Sequence, residues 1–354
     1  MGIKNLSKFL QKQLPTLYQR RPLSHYAGKK IAIDITLYLY RFKQTAKSRW
    51  LSSLINMILM LKKNDIQGIF VYDTKAPEIK GPKIQERKRR RSQATHRIDS
   101  IRKAYQIYEE SEHKIVDPIL VQTMERSTRH STRLLGPMDV DTFDIDSNVI
   151  EQEIMRLEKQ NIYVSTTDFE LSKEFLRLAG LVYINSESEA ETLCSFLCCH
   201  GYVDAVLSND TDVMVYGTPL FLTNLNKGTV QEIQFEQITK GLGITYEQFR
   251  DFCIMCGTDY NSNIYRVGCV NAYKYLQRYG TIEGIRDGTN LDTSVLLYEK
   301  VRDIFTVPSV LEEPDLTERK PDIPLLEVFL VENHYSPDIA KNFSKGEECK
   351  LISI

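Results

Sequence analysis

Short, almost wholly apolar runs that each end in an aspartate are the feature that most limits how this chain can fold. Residues 30–35 (KIAIDI) and 68–73 (GIFVYD) are two such runs, and residues 205–207 lead into a third acidic stretch, SNDTD, at 208–212. Apolar runs without polar alternation predict strands buried on both faces, which belong to parallel sheets covered by helices. A helical pattern over residues 50–63 separates the first two runs, the spacing of a parallel crossover unit. A second set follows, with a strand at 181–184, a helix at 187–200, and strands at 205–207 and 220–225. The expected fold class is α/β: a mostly parallel central sheet flanked by helices. Ligands of such sheets bind at the carboxyl ends of the strands, where Asp34, Asp73 and Asp210 fall.

The remainder reads as helical. Residues 75 to about 180 hold a dense basic run and helical patterns at 147–159 and 169–178, and predict a long helical insertion. Beyond residue 236 the pattern gives a helix at 246–256, a turn at 257–268 and a helix at 270–279. The last thirty or so residues carry Pro, Lys and Glu with little periodicity, and are expected to form a loose tail.

A chain of 354 residues with 42% hydrophobic and 26% charged residues can bury a core, which excludes a disordered or disulfide-stapled chain. The net charge of -1 excludes a uniformly basic nucleic-acid binder but permits a basic patch balanced by an acidic one. Of the seven cysteines, Cys194, Cys198, Cys199, Cys253, Cys256 and Cys269 lie in apolar stretches that read as helix or core, which fits a reducing compartment. No apolar run is long enough to span a bilayer and no secretory segment stands out, so a soluble intracellular protein is expected. Cys253-x-x-Cys256 sits in a helical run rather than between turns, and Met214 breaks an EF-hand loop after Asp212, so neither zinc nor calcium is expected.

Seven carboxylates, Asp34, Asp73, Glu189, Glu191, Asp210, Asp212 and Asp259, come from five separate places in the sequence. Each alone is an ordinary turn or surface residue. Together at one sheet edge they repel one another strongly unless divalent cations neutralise them. Mg²⁺ suits such hard oxygen ligands, and a pair of ions suits displacement at a phosphodiester. A second cluster is basic: Lys80, Lys83, Arg87, Lys88, Arg89, Arg90 and Arg91 face one acid, Glu86.

The stretches AIDITLYLY, FVYDTKAPEIK, SEAE, SNDTD and CGTDY, in that order, resemble the flap endonuclease and xeroderma pigmentosum G-type family of structure-specific 5′ nucleases. The resemblance starts at Met1-Gly2-Ile3, runs to about residue 280 and is interrupted at 92–165. It implies that Asp34, Asp73, Glu189 and Glu191 serve one metal and Asp210, Asp212 and Asp259 a second. The expected cofactor is thus two Mg²⁺ per chain, with Mn²⁺ as a substitute. It further implies that Lys80 and Arg87 reach the scissile phosphate, that Tyr40 stacks on a base, and that Gly2, Lys83, Arg90, Arg91, Arg266 and Gly268 contact DNA. On pattern alone Tyr40 reads sooner as a packed helix residue, and the basic run as a solvated face or nuclear signal.

The implied organisation is an N-terminal nuclease region at 1–91, an enlarged helical arch or cap at 92–180, an internal nuclease region at 181–290 with a helix-two-turn-helix at about 245–280, and a tail at 291–354. The sequence departs from the family in two residues of that turn, Arg266 standing for a glycine and Cys269 for a proline. Branched, flapped or nicked DNA is the implied partner of a monomer in the nucleus or at sites of replication, with no membrane. No clamp-binding motif ends the chain, so a sliding-clamp contact is unsupported. Two alternatives stay open: a 5′-3′ exonuclease or RNase of related fold, and a silent scaffold that binds DNA junctions.

Overall fold

The computed structural model describes residues 2–74, 77–131, 145–307 and 314–344. It divides into one unit of residues 1–81 and 164–354 and a second of residues 82–163.

In the first unit, the described strands are β1 (Gln19–Pro22), β2 (Lys30–Asp34), β3 (Gln67–Tyr72), β4 (Val182–Asn185), β5 (Ala205–Leu207), β6 (Leu220–Asn226) and β7 (Thr229–Gln234). They form one sheet in the order β1-β7-β6-β5-β2-β3-β4. From β6 to β4 all pairings are parallel, and β7 and β1 add an antiparallel edge. The parallel part fits the reading of the apolar runs. The antiparallel edge, QRRP paired with TVQEIQ, lacks that signal because its residues are largely polar.

Side chains alternate between two cores. Ala32, Ile69 and Val71 point to one, filled by α1 (Leu6–Gln13), α8 (Ala190–Cys199), α9 (Asp212–Val215) and the C-terminal helices α10 (Phe235–Leu242), α11 (Tyr246–Cys256), α12 (Cys269–Tyr279), α13 (Ile282–Gly288) and α14 (Tyr298–Ile304). Ile31, Ile33 and Phe70 point to the other, covered by α2 (Ile35–Ala46), α3 (Trp50–Lys63), α7 (Thr166–Leu178) and α15 (Ile323–Glu332). Trp50 is buried in this second core. Cys199 lies on a helix, as expected, but is exposed at the last position of α8.

The expected loose tail is instead packed where it is described. Leu326, Phe329 and Leu330 of α15, with Ile339, Ala340 and Phe343 of the following 3₁₀ segment, join the core of α3 and α7. The apolar stretch is too short for a clear period, and only tertiary contact makes it a helix.

The second unit contains α4 (Gly81–Glu110), α5 (Pro118–Ser131) and α6 (Ser147–Gln160) around a small core of Ile98, Ile101, Ala104, Tyr108, Leu120, Ile150 and Leu157. Its limits differ from the expected 92–180, because α4 runs unbroken from Gly81 while Phe175 and Leu176 of α7 belong to the first unit's core. No described helix is long and apolar enough to cross a membrane.

Arg302 of α14 locks the C-terminal helices. It donates to Asp251 of α11 at 2.7 and 2.6 Å and to Glu283 of α13 at 2.6 and 2.9 Å. The hydrogen bonds from Arg302 hold the Glu283 carboxyl down at about 2. Arg302→Met, which leaves the buried Asp251 carboxylate unpaired, is expected to cost about 3–5 kcal/mol in urea unfolding at neutral pH. Glu283→Gln is expected to cost about 1 kcal/mol or less above pH 5, because that carboxylate is 37% exposed and screened. A depressed carboxylate stabilises above its ordinary pKa, so the Glu283→Gln deficit shrinks as pH falls from about 4.5 towards 2.

Candidate active site

The parallel register sets the site. Asp34 ends β2 opposite Val71 of β3, and Ile33 lies opposite Leu207 of β5, so Asp34, Asp73 and the 208–212 loop emerge side by side. Asp34 also precedes α2, Glu189 precedes α8, and Glu191 lies in its first turn.

Hydrogen bonds fix these carboxylates before any ligand arrives. The Ser208 hydroxyl donates to Asp34 Oδ2 at 2.8 Å and accepts from the Asp210 amide at 3.0 Å. The Asp212 amide donates to Asp210 Oδ1 at 3.1 Å. On the next strand, the Asp73 amide donates to Thr36 Oγ1 at 3.1 Å, and the Ala190 amide at the start of α8 donates to Asp73 Oδ1 at 2.5 Å. Ser208 and Thr36 are site residues that the sequence reading missed; a small hydroxyl after a strand carries no distinctive signal.

Carboxylate oxygens of Glu191, Asp210 and Asp212 all lie within 4.8 Å of one another, and all three residues are buried. Burial first, then the charges of neighbouring carboxylates, pushes Asp34, Glu191 and Asp212 well above the usual carboxylate range. Asp73 and Asp210 rise chiefly through burial. Asp212 Oδ1 is buried without a hydrogen-bond partner among the described residues. An orphaned anionic oxygen beside two other carboxylates fits a divalent cation, which supplies the missing positive charge.

Lys80 brings an ammonium to this cluster. It pairs with Glu189, whose other oxygen accepts from the Tyr260 hydroxyl, and it lies 3.9 Å from Asp259 Oδ2. The same ammonium sits 5.4 Å from the Tyr260 ring. Burial works against its charge, but Glu189, Glu191 and Asp259 outweigh that penalty and hold it above the ordinary lysine value. Tyr260, the last letter of CGTDY, is another residue to which the sequence assigned no role.

The N-terminus completes the edge. Gly2 adopts φ +86°, and a Cβ there would collide with Asp210 Oδ1, Thr211 Oγ1 and Asp212 Oδ1. The Ile3 amide donates to Thr211 Oγ1 at 2.8 Å, and the Lys4 amide to the Gly257 carbonyl at 3.1 Å. Only glycine combines this conformation with this clearance.

In the turn after α11, Lys4 Nζ donates to Asn263 Oδ1 at 2.6 Å, and Asn263 Nδ2 donates to the Cys256 carbonyl at 2.6 Å. Arg266, expected where relatives have glycine, takes the left-handed φ of +60° with its guanidinium 5.0 Å from the exposed Tyr265 ring. A residue with a side chain holds that conformation at an energetic cost. Gly268 caps α12 with open space beyond its Cα. Tyr40 lies half-buried on α2 against the second core. Lys83, Arg87, Arg90 and Arg91 lie on α4 in the second unit, where Glu86 pairs with Lys83 at 3.5 Å and Arg90 at 2.5 Å.

Residues 1–94 match the XPG N-terminal domain and residues 180–259 the XPG I-region. The chain is 34% identical over 342 residues to a probable RAD2-like endonuclease of Invertebrate iridescent virus 3, covering 89% of this chain and 88% of that one. It is 27% identical to flap endonuclease 1 of Zea mays, covering 99% and 88%. Among solved structures, the catalytic core of Rad2 in complex with DNA substrate shares the fold at a TM-score of 0.65 and 16% identity, over 97% of this chain and 98% of that one. Flap endonuclease-1 from Methanococcus jannaschii shares it at 0.61 and 22% identity, over 92% and 94%.

Relief of carboxylate repulsion makes a thermal prediction. Without divalent cations, Asp212→Asn is expected to melt about 2 °C or more above the unsubstituted chain. Millimolar Mg²⁺ or Ca²⁺ is expected to raise the melting temperature of the unsubstituted chain and to shift the variant less. Scanning calorimetry with and without a chelator checks both, and a cation-insensitive unsubstituted chain would count against a metal site.

Proposed function

The chain belongs to the XPG and RAD2-like endonuclease family, and on that premise we propose that it is a Mg²⁺-dependent, structure-specific 5′ nuclease hydrolysing DNA phosphodiesters near single-strand/duplex junctions. The observation that carries this reading is a largely buried cluster of mutually repelling carboxylates from separate segments, Asp34, Asp73, Glu189, Glu191, Asp210, Asp212 and Asp259, with the Lys80 ammonium paired to Glu189 and Asp259.

Asp34, Asp73, Glu189 and Glu191 would hold one metal, and Asp210, Asp212 and Asp259 a second. Mg²⁺ held by these residues would neutralise the cluster and supply a water of lowered pKa. The protein's own residues do the rest. Lys80, kept protonated by Glu189 and Asp259, presents fixed positive charge to the scissile phosphate, where negative charge builds in the transition state. Tyr260 positions Lys80 indirectly by holding the second oxygen of Glu189. Gly2 lets the backbone pass against the Asp210 and Asp212 oxygens, where any side chain would collide with them. Arg87, with Lys83, Arg90 and Arg91, adds phosphate contacts, and Tyr40 supplies a sequence-tolerant stacking surface. Backbone amides around Arg266 and Gly268 would grip the uncleaved duplex without reading bases.

Denaturing-gel cleavage of 5′-labelled flap, gapped and blunt duplex DNA tests this reading. Cutting near the flap junction in Mg²⁺ is expected, with none in Ca²⁺ and none by Asp210→Ala. Lys80→Met is expected to lose about 10²–10³-fold in kcat with a smaller change in KM. Junction binding without cleavage on any substrate would sink the nuclease reading in favour of a scaffold.

A further inference from the structure

The turn that carries Asp259 and Tyr260 is bracketed by two cysteines that the carboxylate site does not use. Cys256 is the last residue of α11 and Cys269 the first of α12, and both are free thiols, 2% and 8% exposed. Cys269 stands where the family pattern has a proline. Proline suits the first position of a helix by its fixed φ, and cysteine brings no such advantage.

Hydrogen bonds join the two thiols to the start of the chain. Cys256 donates to the Cys269 sulfur, and Cys269 donates to the Lys4 carbonyl at 3.1 Å. The Lys4 amide in turn donates to the carbonyl of Gly257, the neighbour of Cys256. Lys4 therefore clasps both ends of the turn. Burial and the proton it donates push the Cys256 thiol well above its ordinary range, whereas the hydrogen bond it accepts holds Cys269 below its own. The pair is thus unequal: Cys269, at a helix start that favours thiolate, is the nucleophile, and Cys256 the proton donor. Cys253, one turn back on α11, is wholly buried, and burial pushes its thiol up. Any small apolar side chain could fill these core positions; two thiols in contact add the capacity to be joined.

We infer that Cys256 and Cys269 form an oxidisable dithiol, a modification site whose co-substrate is a peroxide. The Cys269 sulfur attacks one oxygen of hydrogen peroxide, the O–O bond breaks, and the sulfur becomes a sulfenic acid while the other oxygen leaves as water with the thiol proton. The Cys256 sulfur then attacks the Cys269 sulfur, the S–S bond forms, the S–O bond breaks, and hydroxide leaves as water with the Cys256 proton. Each sulfur gives up one electron and the peroxide is reduced to two waters. Once linked, Cys269 has no proton for the Lys4 carbonyl, so oxidation loosens residues 2–4 where Gly2 lies against Asp210 and Asp212. A reversible link of this kind fits the redox-sensing disulfides of reducing compartments, and it holds whether or not the carboxylates prove catalytic.

The test treats the reduced full chain with hydrogen peroxide in chelator, then digests it and maps it by mass spectrometry without reductant. A Cys256–Cys269 linked peptide is expected, two hydrogens lighter than its parts and lost on adding dithiothreitol. Mapping separates it from oxidation at the exposed Cys199. Cys253→Ala is expected to keep the link. Cys256→Ala is expected to accumulate a sulfenic acid on Cys269 that dimedone traps, whereas Cys269→Ser, whose hydroxyl still has a proton for Lys4, is expected to leave Cys256 unlabelled. In the linked chain, amide hydrogen exchange at Lys4 is expected to quicken about fivefold, the worth of one hydrogen bond. Oxidation at Cys199 with Cys256 and Cys269 still reduced, or a link from Cys269 to Cys253, would overturn the dithiol. A link without faster exchange at Lys4 would overturn its coupling to the carboxylate edge.

Discussion

Mutual repulsion among buried carboxylates at the carboxyl edge of the sheet is the constraint on which the rest of the first unit depends. Asp34 is coupled to Asp73 and Asp210, Glu191 to four other acids, and Asp212 to Asp210, Asp259 and Glu189. Left to itself such a group would drive the strand ends apart or take up protons. Two rigid cores on either face of the sheet hold the strand ends in register, and neutral donors from Ser208, Thr36 and the first amides of α8 tie individual oxygens down. Stability is given up at the site and recovered in the scaffold, as is common where function requires clustered charge.

Lys80 shows how closely packing and chemistry are joined there. An ammonium beside several acids would normally collapse into whichever pair it reached first. Here Glu189 is held from its other side by Tyr260, so Lys80 stays within reach of Asp259 while remaining bound to Glu189. Residues 2–4 are drawn into the same framework through Thr211 and Gly257, and the close approach of the backbone to Asp210 and Asp212 requires glycine at position 2.

The parallel core was legible because each strand is an unbroken apolar run with its aspartate at the end, and hydrophobicity alone marks both the strand and the functional edge. Strands β1 and β7 were not, because an antiparallel edge strand with one open face can be as polar as QRRP. The packed segment around Phe329 and Phe343 escaped notice for a different reason: its apolar residues are too few to display a period, and their partners lie far away on α3 and α7. The carboxylates themselves were readable as residues, but the supports that tune them, Ser208, Thr36 and Tyr260, are ordinary side chains given meaning only by tertiary contact.

The most direct test of the central claim, that cations complete the carboxylate cluster, is a crystal structure of the chain grown with Mn²⁺ and phased on the metal's anomalous signal. Two peaks about 3.5–4 Å apart are expected, one bordered by Asp34, Asp73, Glu189 and Glu191 and the other by Asp210, Asp212 and Asp259. An ordered site with no anomalous density, its acids paired through shared protons or with Lys80 alone, would contradict the claim.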